Sequence, residues 1–142
     1  MLDVRIARTP RERDDAFAVR IAVFVDEQRI PREEELDDLD ATAVHCVGYV
    51  AREPVAAGRL VALDDGTAKI GRMAVLAPHR GRGYGAAVLE ALEREGRARG
   101  VRAFVLSAQV AARGFYERAG YLPQGDVYDE VGIPHIAMRK DA

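Results

Sequence analysis

Apolar and polar positions alternate along Leu2-Asp3-Val4-Arg5-Ile6, which predicts an opening strand over Leu2 to Arg8. Thr9-Pro10-Arg11-Glu12 then carries the marks of a helix start: a capping threonine, a first-turn proline and a glutamate placed to reach back. Phe17, Ile21 and Phe24 fall at helical spacing, so this helix is expected to run to about Val25 and to use them mainly as core. Asp26 to Asp40 breaks the pattern. Glu33, Glu34, Glu35, Asp37, Asp38 and Asp40 crowd behind Pro31, and the stretch reads as a solvated loop, with attraction of a cationic molecule as the other reading. It lacks the spaced ligands and turn glycine of a calcium loop, so no metal is expected there.

Two apolar runs, Ala43 to Ala51 and Val55 to Leu63, flank Arg52-Glu53-Pro54 as an antiparallel hairpin. Asp64-Asp65-Gly66 turns the chain into a third strand, Lys69 to Leu76. A helix from about Gly85 to Arg99 follows, with Val88, Leu89 and Leu92 on one face and Gly100 as its stop. Val101 to Ser107 is almost continuously apolar, as expected of a strand covered on both faces. A helical crossover from the Lys69 strand makes these two strands parallel. A short helix, about Ala111 to Ala119, and a last hairpin, Gly125 to Asp129 and His135 to Arg139 around Glu130-Val131-Gly132, complete a mixed α/β sheet.

No internal repeat or linker divides the 142 residues, so they are expected to form one unit over residues 1–142. With 21 basic and 23 acidic residues there is no general field for nucleic acid or an anionic membrane, and neither is an expected partner. The start, Met1-Leu2-Asp3-Val4-Arg5, has no apolar signal core, which makes the cytoplasm the expected compartment. Cys46, the lone cysteine, lies inside an apolar strand and reads as a small core residue.

The candidate chemistry is concentrated in Arg72 to Ala86, a strand followed by the basic glycine-rich turn His79-Arg80-Gly81-Arg82-Gly83-Tyr84-Gly85 and a helix start. Glycines at alternate positions let backbone N–H groups face inward, and the helix adds positive partial charge at its N-terminus. Such a turn suits a pyrophosphate. It is not a P-loop, because Tyr84-Gly85-Ala86 stands where Gly-Lys-Ser/Thr is needed. It is not a dinucleotide fingerprint either, since the glycines run G-x-G-x-G after antiparallel strands.

Arg80 to Gly85 resembles the R/Q-x-x-G-x-G/A signature of the GNAT superfamily of N-acetyltransferases, and Gly114 to Tyr121 resembles its second motif. The resemblance covers about residues 2–139. Val23-Phe24-Val25-Asp26-Glu27-Gln28, His45 and Ile133-Pro134-His135-Ile136 are similar to the ElaA/YjcF-type branch of that superfamily. The fold implied is that of an acyl-CoA N-acyltransferase, with antiparallel N-terminal strands and a parallel pair splayed at the acyl-CoA site. The activity implied is transfer of acetyl from acetyl-CoA, the cosubstrate, to a small-molecule or peptide amine by direct attack in a ternary complex. A non-catalytic acyl-CoA-binding or regulatory module of the same fold is the alternative, and either a monomer or a homodimer fits.

By the same resemblance, Met73, Ala74 and Val75 would hold the pantetheine arm through main-chain groups, with the Val75 N–H on the thioester carbonyl. Arg80, Gly81, Arg82, Gly83, Tyr84, Gly85 and Ala86 would take the pyrophosphate, while Ser107, Gln109, Arg113 and Phe115 would contact the rest of the cosubstrate. Tyr116 is the expected general acid, since a phenol can protonate the leaving thiolate. The base is open among Glu27, His45 and His135, with Glu27 placed first as the catalytic candidate. Phe24, His45 and His135 are the expected acceptor contacts.

Overall fold

A computed structural model describes residues 1–142. β1 (Leu2–Ile6) leads into α1 (Pro10–Arg20), whose start is the capping box seen in the sequence. The Glu12 N–H donates to Thr9 Oγ1 at 3.1 Å and the Thr9 N–H to Glu12 Oε1 at 3.2 Å, so two donors of the helix start are satisfied reciprocally. The helix continues past α1 but widens into π-helical turns over Ile21–Glu27, where the Gln28 N–H reaches five residues back to the Val23 carbonyl at 3.0 Å. Such widening recurs at functional sites, and here it delivers Val23 and Phe24 to the interior.

The acidic stretch expected as a solvated loop is folded into the protein. It forms α2 (Arg32–Glu35) and a 3₁₀ turn, Asp38–Ala41, with Glu35 and Asp40 buried. Arginines from distant elements account for this. Arg20, fully buried, donates to Glu35 and Asp40 at 2.8 Å each, and Arg59 donates to Asp37 at 2.7 Å and Asp40 at 2.9 Å. Arg72 adds a bond to Asp37 at 3.2 Å. The charges are matched three against three, as burial of ions requires.

β2 (Val44–Val50) and β3 (Glu53–Ala62) join through Ala51 and Arg52, both at positive φ, so β3 begins two residues earlier than the proline suggested. β4 (Thr67–Val75) completes the antiparallel run. α3 (Tyr84–Ala98) crosses one face and ends at Gly100, with the Val101 N–H closing back on the Gly96 carbonyl at 3.0 Å. That closure holds Val101 outside the next strand, and β5 runs from Ala103 to Gln109 rather than from Val101.

α4 (Arg113–Arg118) is followed by β6 (Leu122–Glu130) and β7 (Ile133–Asp141), a longer hairpin than the pattern suggested. Their two-residue connection, Val131 and Gly132, has positive φ at both positions, which matches the twist of the paired strands. The sheet order is β1-β2-β3-β4-β5-β7-β6, and β4 with β5 is its one parallel pair. One core packs α3 and α4 on Ile70, Phe104, Tyr121 and Met138. The other packs α1 and its π extension on Val47, Ala57 and Ala74. No helix is long and apolar enough to cross a membrane.

Candidate active site

β4 and β5 pair only over Thr67↔Ala103, Ala68↔Phe104 and Lys69↔Val105. Beyond that point β4 stays with β3 and β5 with β7, so the two strands part and open a cleft of about 620 Å³. The parting has a local cause. Ala57↔Ala74 and Arg59↔Gly71 put one extra β4 residue against β3, a bulge that bends β4 away, and Arg72 within it sits at φ 53°. The Arg72 Nε–H donates to the Glu35 carbonyl at 3.1 Å, so the buried ionic cluster also holds the bulge.

Met73, Ala74 and Val75 line the cleft. The Leu76 N–H is turned to the Val55 carbonyl of β3 at 2.9 Å. Peptide groups alternate along a strand, so the Val75 N–H and C=O are turned the other way, toward the cleft. The Val75 carbonyl accepts the Arg80 Nε–H at 2.9 Å, consistent with that direction.

The glycine-rich turn follows the end of β4, and of its residues Arg80 alone lines the cleft. Gly81 and Gly83 have φ near 80°, and a Cβ at either would meet nothing within 4 Å, so the backbone here is bare and open to a ligand. Gly83 leads directly into α3, where Tyr84, Gly85 and Ala86 hold first-turn N–H groups that no helical carbonyl reaches. A Cβ on Gly85 would stand 3.4 Å from the Phe115 ring, so α4 packs directly on this helix start. His79 stacks on Tyr84, and Arg82 is exposed. Arg80 is engaged on both sides: besides Val75, it holds Glu27 through two bonds of 2.7 and 2.8 Å. That pairing keeps the Glu27 carboxyl below the usual carboxylate range.

Tyr116 faces the cleft from α4 and is 8% exposed, its ring edge-on to Phe115 and Tyr121. Burial raises its phenol above the ordinary value, so it is protonated throughout the neutral range. Behind it, Tyr121 donates to buried Glu93 at 2.8 Å, and Lys140 Nζ lies 3.1 Å from the same carboxylate. Ser107, bonded to the Tyr128 hydroxyl, and Gln109 also line the cleft. Gln109 Nε2 donates across it to Gln28 Oε1 at 2.8 Å. Arg113 turns outward to Glu117 at 3.4 Å and lies outside the cleft.

Phe24 lines the cleft from the π-helical segment and His135 from β7, beside Gln109 of β5. His135 Nδ1 is 2.7 Å from the Ile133 carbonyl and its Nε2 is 3.5 Å from Glu130. Two of the sequence candidates for the base are placed elsewhere. His45 is sealed in the core, donating from Nε2 to the Asp40 carbonyl at 2.9 Å and resting edge-on against Phe17. Burial lowers its pKa, and it does not reach the cleft. Glu27 also lies off the lining, bound to Arg80. Gln28, Arg72 and Glu130, none of them an expected site residue, also line the cleft. Gln28 directly follows Glu27 in the branch pattern and could have been found there; Arg72 and Glu130 carry no local mark.

A mixed sheet split between its one parallel pair, with a glycine-rich turn leading from the end of β4 into a helix, defines the acyl-CoA N-acyltransferase fold. Residues 11–121 match the acetyltransferase (GNAT) family, and the chain belongs to it. It is 42% identical over 138 residues to the uncharacterised N-acetyltransferase YjcF of Bacillus subtilis, covering 96% of this chain and 97% of the relative. The crystal structure of Escherichia coli ElaA superposes with a TM-score of 0.87 at 28% identity, covering 99% of both chains. An acyl-CoA N-acyltransferase from Pseudomonas aeruginosa superposes with a TM-score of 0.84 at 31% identity, covering 99% of this chain and 98% of that one.

Proposed function

We propose that the protein transfers acetyl from acetyl-CoA to a primary amine by direct attack in a ternary complex. The observation that carries this is the convergence of the Val75 main chain and the Tyr116 phenol on the cleft between β4 and β5, with the bare glycine turn following the end of β4. The turn from Arg80 to Ala86 would hold the pyrophosphate through backbone N–H groups and the start of α3. The pantetheine arm would extend β4's free edge at Met73 to Val75, where β5 leaves the backbone unpaired. Ser107, Gln109 and Phe115 would border it.

In that arrangement the Val75 N–H faces the thioester oxygen as it gains charge, a type of contact worth about 3–4 kcal/mol in the transition state. The amine nitrogen bonds to the carbonyl carbon, the C–S bond breaks, and Tyr116 passes its proton to the departing sulfur. A neutral phenol is what this step needs, and burial keeps it neutral. Cys46 offers no covalent route: it lies outside the cleft and burial pushes its thiol up to about 12.

CoA release with acetyl-CoA and a panel of amines (n-butylamine, putrescine, spermidine, Nα-acetyl-lysine, kanamycin) tests the reading. At least one amine is expected to release CoA with intersecting initial-rate patterns. Tyr116→Phe should lower kcat about 100-fold while leaving CoA affinity unchanged. Acetyl-CoA binding without release by any amine, or a ping-pong pattern, overturns it.

A further inference from the structure

We infer that His135 Nε2 is the base that takes the proton of the acceptor's ammonium group, and that Glu130 holds the ammonium beside it. This rests on the acyl-transfer reading above and assigns the acceptor half of the same cleft. The tautomer decides which nitrogen is available. His135 Nδ1 lies 2.7 Å from the Ile133 carbonyl oxygen, which can only accept. Nδ1 therefore carries the hydrogen and Nε2 carries the lone pair. The only polar neighbour of Nε2 is Glu130 Oε2 at 3.5 Å. His135 is 5% exposed, yet Nε2 is not among the sealed, unpartnered side-chain atoms, which are His45 Nδ1 and His79 Nδ1. What remains open of this imidazole thus faces the cleft it lines.

The surroundings favour a cation at that point. From β6, Glu130 and the Tyr128 ring face His135, and from β5 the neighbours are the neutral Ser107 and Gln109. Across the cleft, Arg59 and Arg72 are neutralised by Asp37, Asp40 and Glu35, and Arg80 is held by Glu27. Lys69 is the one lining cation without an ion pair, against Glu33 and Glu34, which are unpaired on the rim. Among the groups free to act, His135 alone combines an unshared basic nitrogen with a fixed position. Its register partner Gln109 is bonded to Gln28 and sits at the end of β5, on the strand that forms one wall of the split.

The protons balance. The acceptor's ammonium nitrogen carries three hydrogens and the amide product one. Nε2 takes the first and returns it to solvent. The attacking amine forms the C–N bond, the C–S electron pair leaves on sulfur, and Tyr116 protonates that sulfur. The second nitrogen proton, lost as the tetrahedral intermediate collapses, restores the phenol. Glu130 pairs with the ammonium before transfer and with the imidazolium after it.

The full-length protein, acetyl-CoA and whichever amine of the panel releases CoA fastest provide the test. Wild-type kcat should show an ionisation separate from the amine's own, falling away at low pH. In His135→Gln that limb should disappear, kcat at neutral pH should drop about 100-fold, added imidazole should restore part of it, and CoA affinity should be unchanged. Glu130→Gln should raise the acceptor KM several-fold with a smaller effect on kcat. Nitrogen NMR of the wild-type imidazole should report hydrogen on Nδ1. An Nε2–H tautomer, or a wild-type pH limb in an active His135→Gln protein, overturns the assignment while leaving acyl transfer intact. If wild type releases no CoA with any amine, the acyl-transfer reading fails and this assignment falls with it.

Discussion

If the turn at Arg80 takes the pyrophosphate, the incoming anion has to displace a partner of that residue. Its guanidinium holds Glu27 through two hydrogen bonds, yet the two side chains are 43% and 44% exposed. Such a pair is screened and contributes little to stability. A pyrophosphate carries more charge, and the glycine turn beside Arg80 adds backbone donors, so the anion should win the guanidinium. Glu27→Gln removes the competitor and should tighten CoA binding a few-fold at low ionic strength. Arg80→Ala should weaken it. Titration calorimetry at two salt concentrations reads both, and equal affinities in the two variants would leave Arg80 with its carboxylate. The glycine turn's geometry and the place of Tyr116 on the cleft were legible because each lies in one contiguous motif. Glu27 read as a base because a carboxylate after a helix gives no sign that its arginine lies 53 residues further on. His45 read as an acceptor contact for the same reason, its partner being the carbonyl of Asp40 in a turn that no pattern announced.

At the scale of elements, α3 shows how local preference and packing can oppose each other. Gly96 lies inside this helix, where alanine is favoured over glycine by about 1 kcal/mol. A Cβ there would stand 2.5 Å from Phe104 Cε1 and 2.9 Å from its Cζ, in a ring with no exposed surface. Overpacking of this kind costs about 1–3 kcal/mol, more than the helix gains. Gly96→Ala should therefore lower the urea midpoint with the m-value unchanged; a rise would show that Phe104 moves aside at little cost. The strands and long helices were readable from period and capping because those signals are local. α2 and the Asp38–Ala41 turn were not. A run of carboxylates looks alike whether water or arginine receives it, and these arginines come from α1, β3 and β4. The splay of β4 from β5 escaped the residue patterns too, because it follows from a bulge set by pairing with β3.

Across the whole molecule, that buried ionic cluster joins α1, α2, β3 and the β4 bulge, and it sets the response to acid. Burial alone would raise the Asp40 carboxyl, but hydrogen bonds and charge from Arg20 and Arg59 outweigh it and hold it well below the usual range. Asp37 is held low chiefly by its bond to Arg59. A carboxylate depressed in the folded state stabilises above its unfolded pKa, about 3.9, and loses that contribution as pH falls through the folded value. Glu35 has the opposite sign: burial raises it, so acid relieves rather than adds strain there. Two depressed groups against one raised group leave a net loss, and the urea midpoint should fall steadily as pH drops from about 5 to about 2. Arg20→Met should show the cluster's worth directly. It leaves Glu35 and Asp40 buried without their shared cation, a change that costs about 3–5 kcal/mol. The same variant should regain part of that loss in mild acid, since burial already raises Glu35 and eases its protonation. A midpoint at neutral pH within error of wild type would mean that water reaches the two carboxylates once Arg20 is gone.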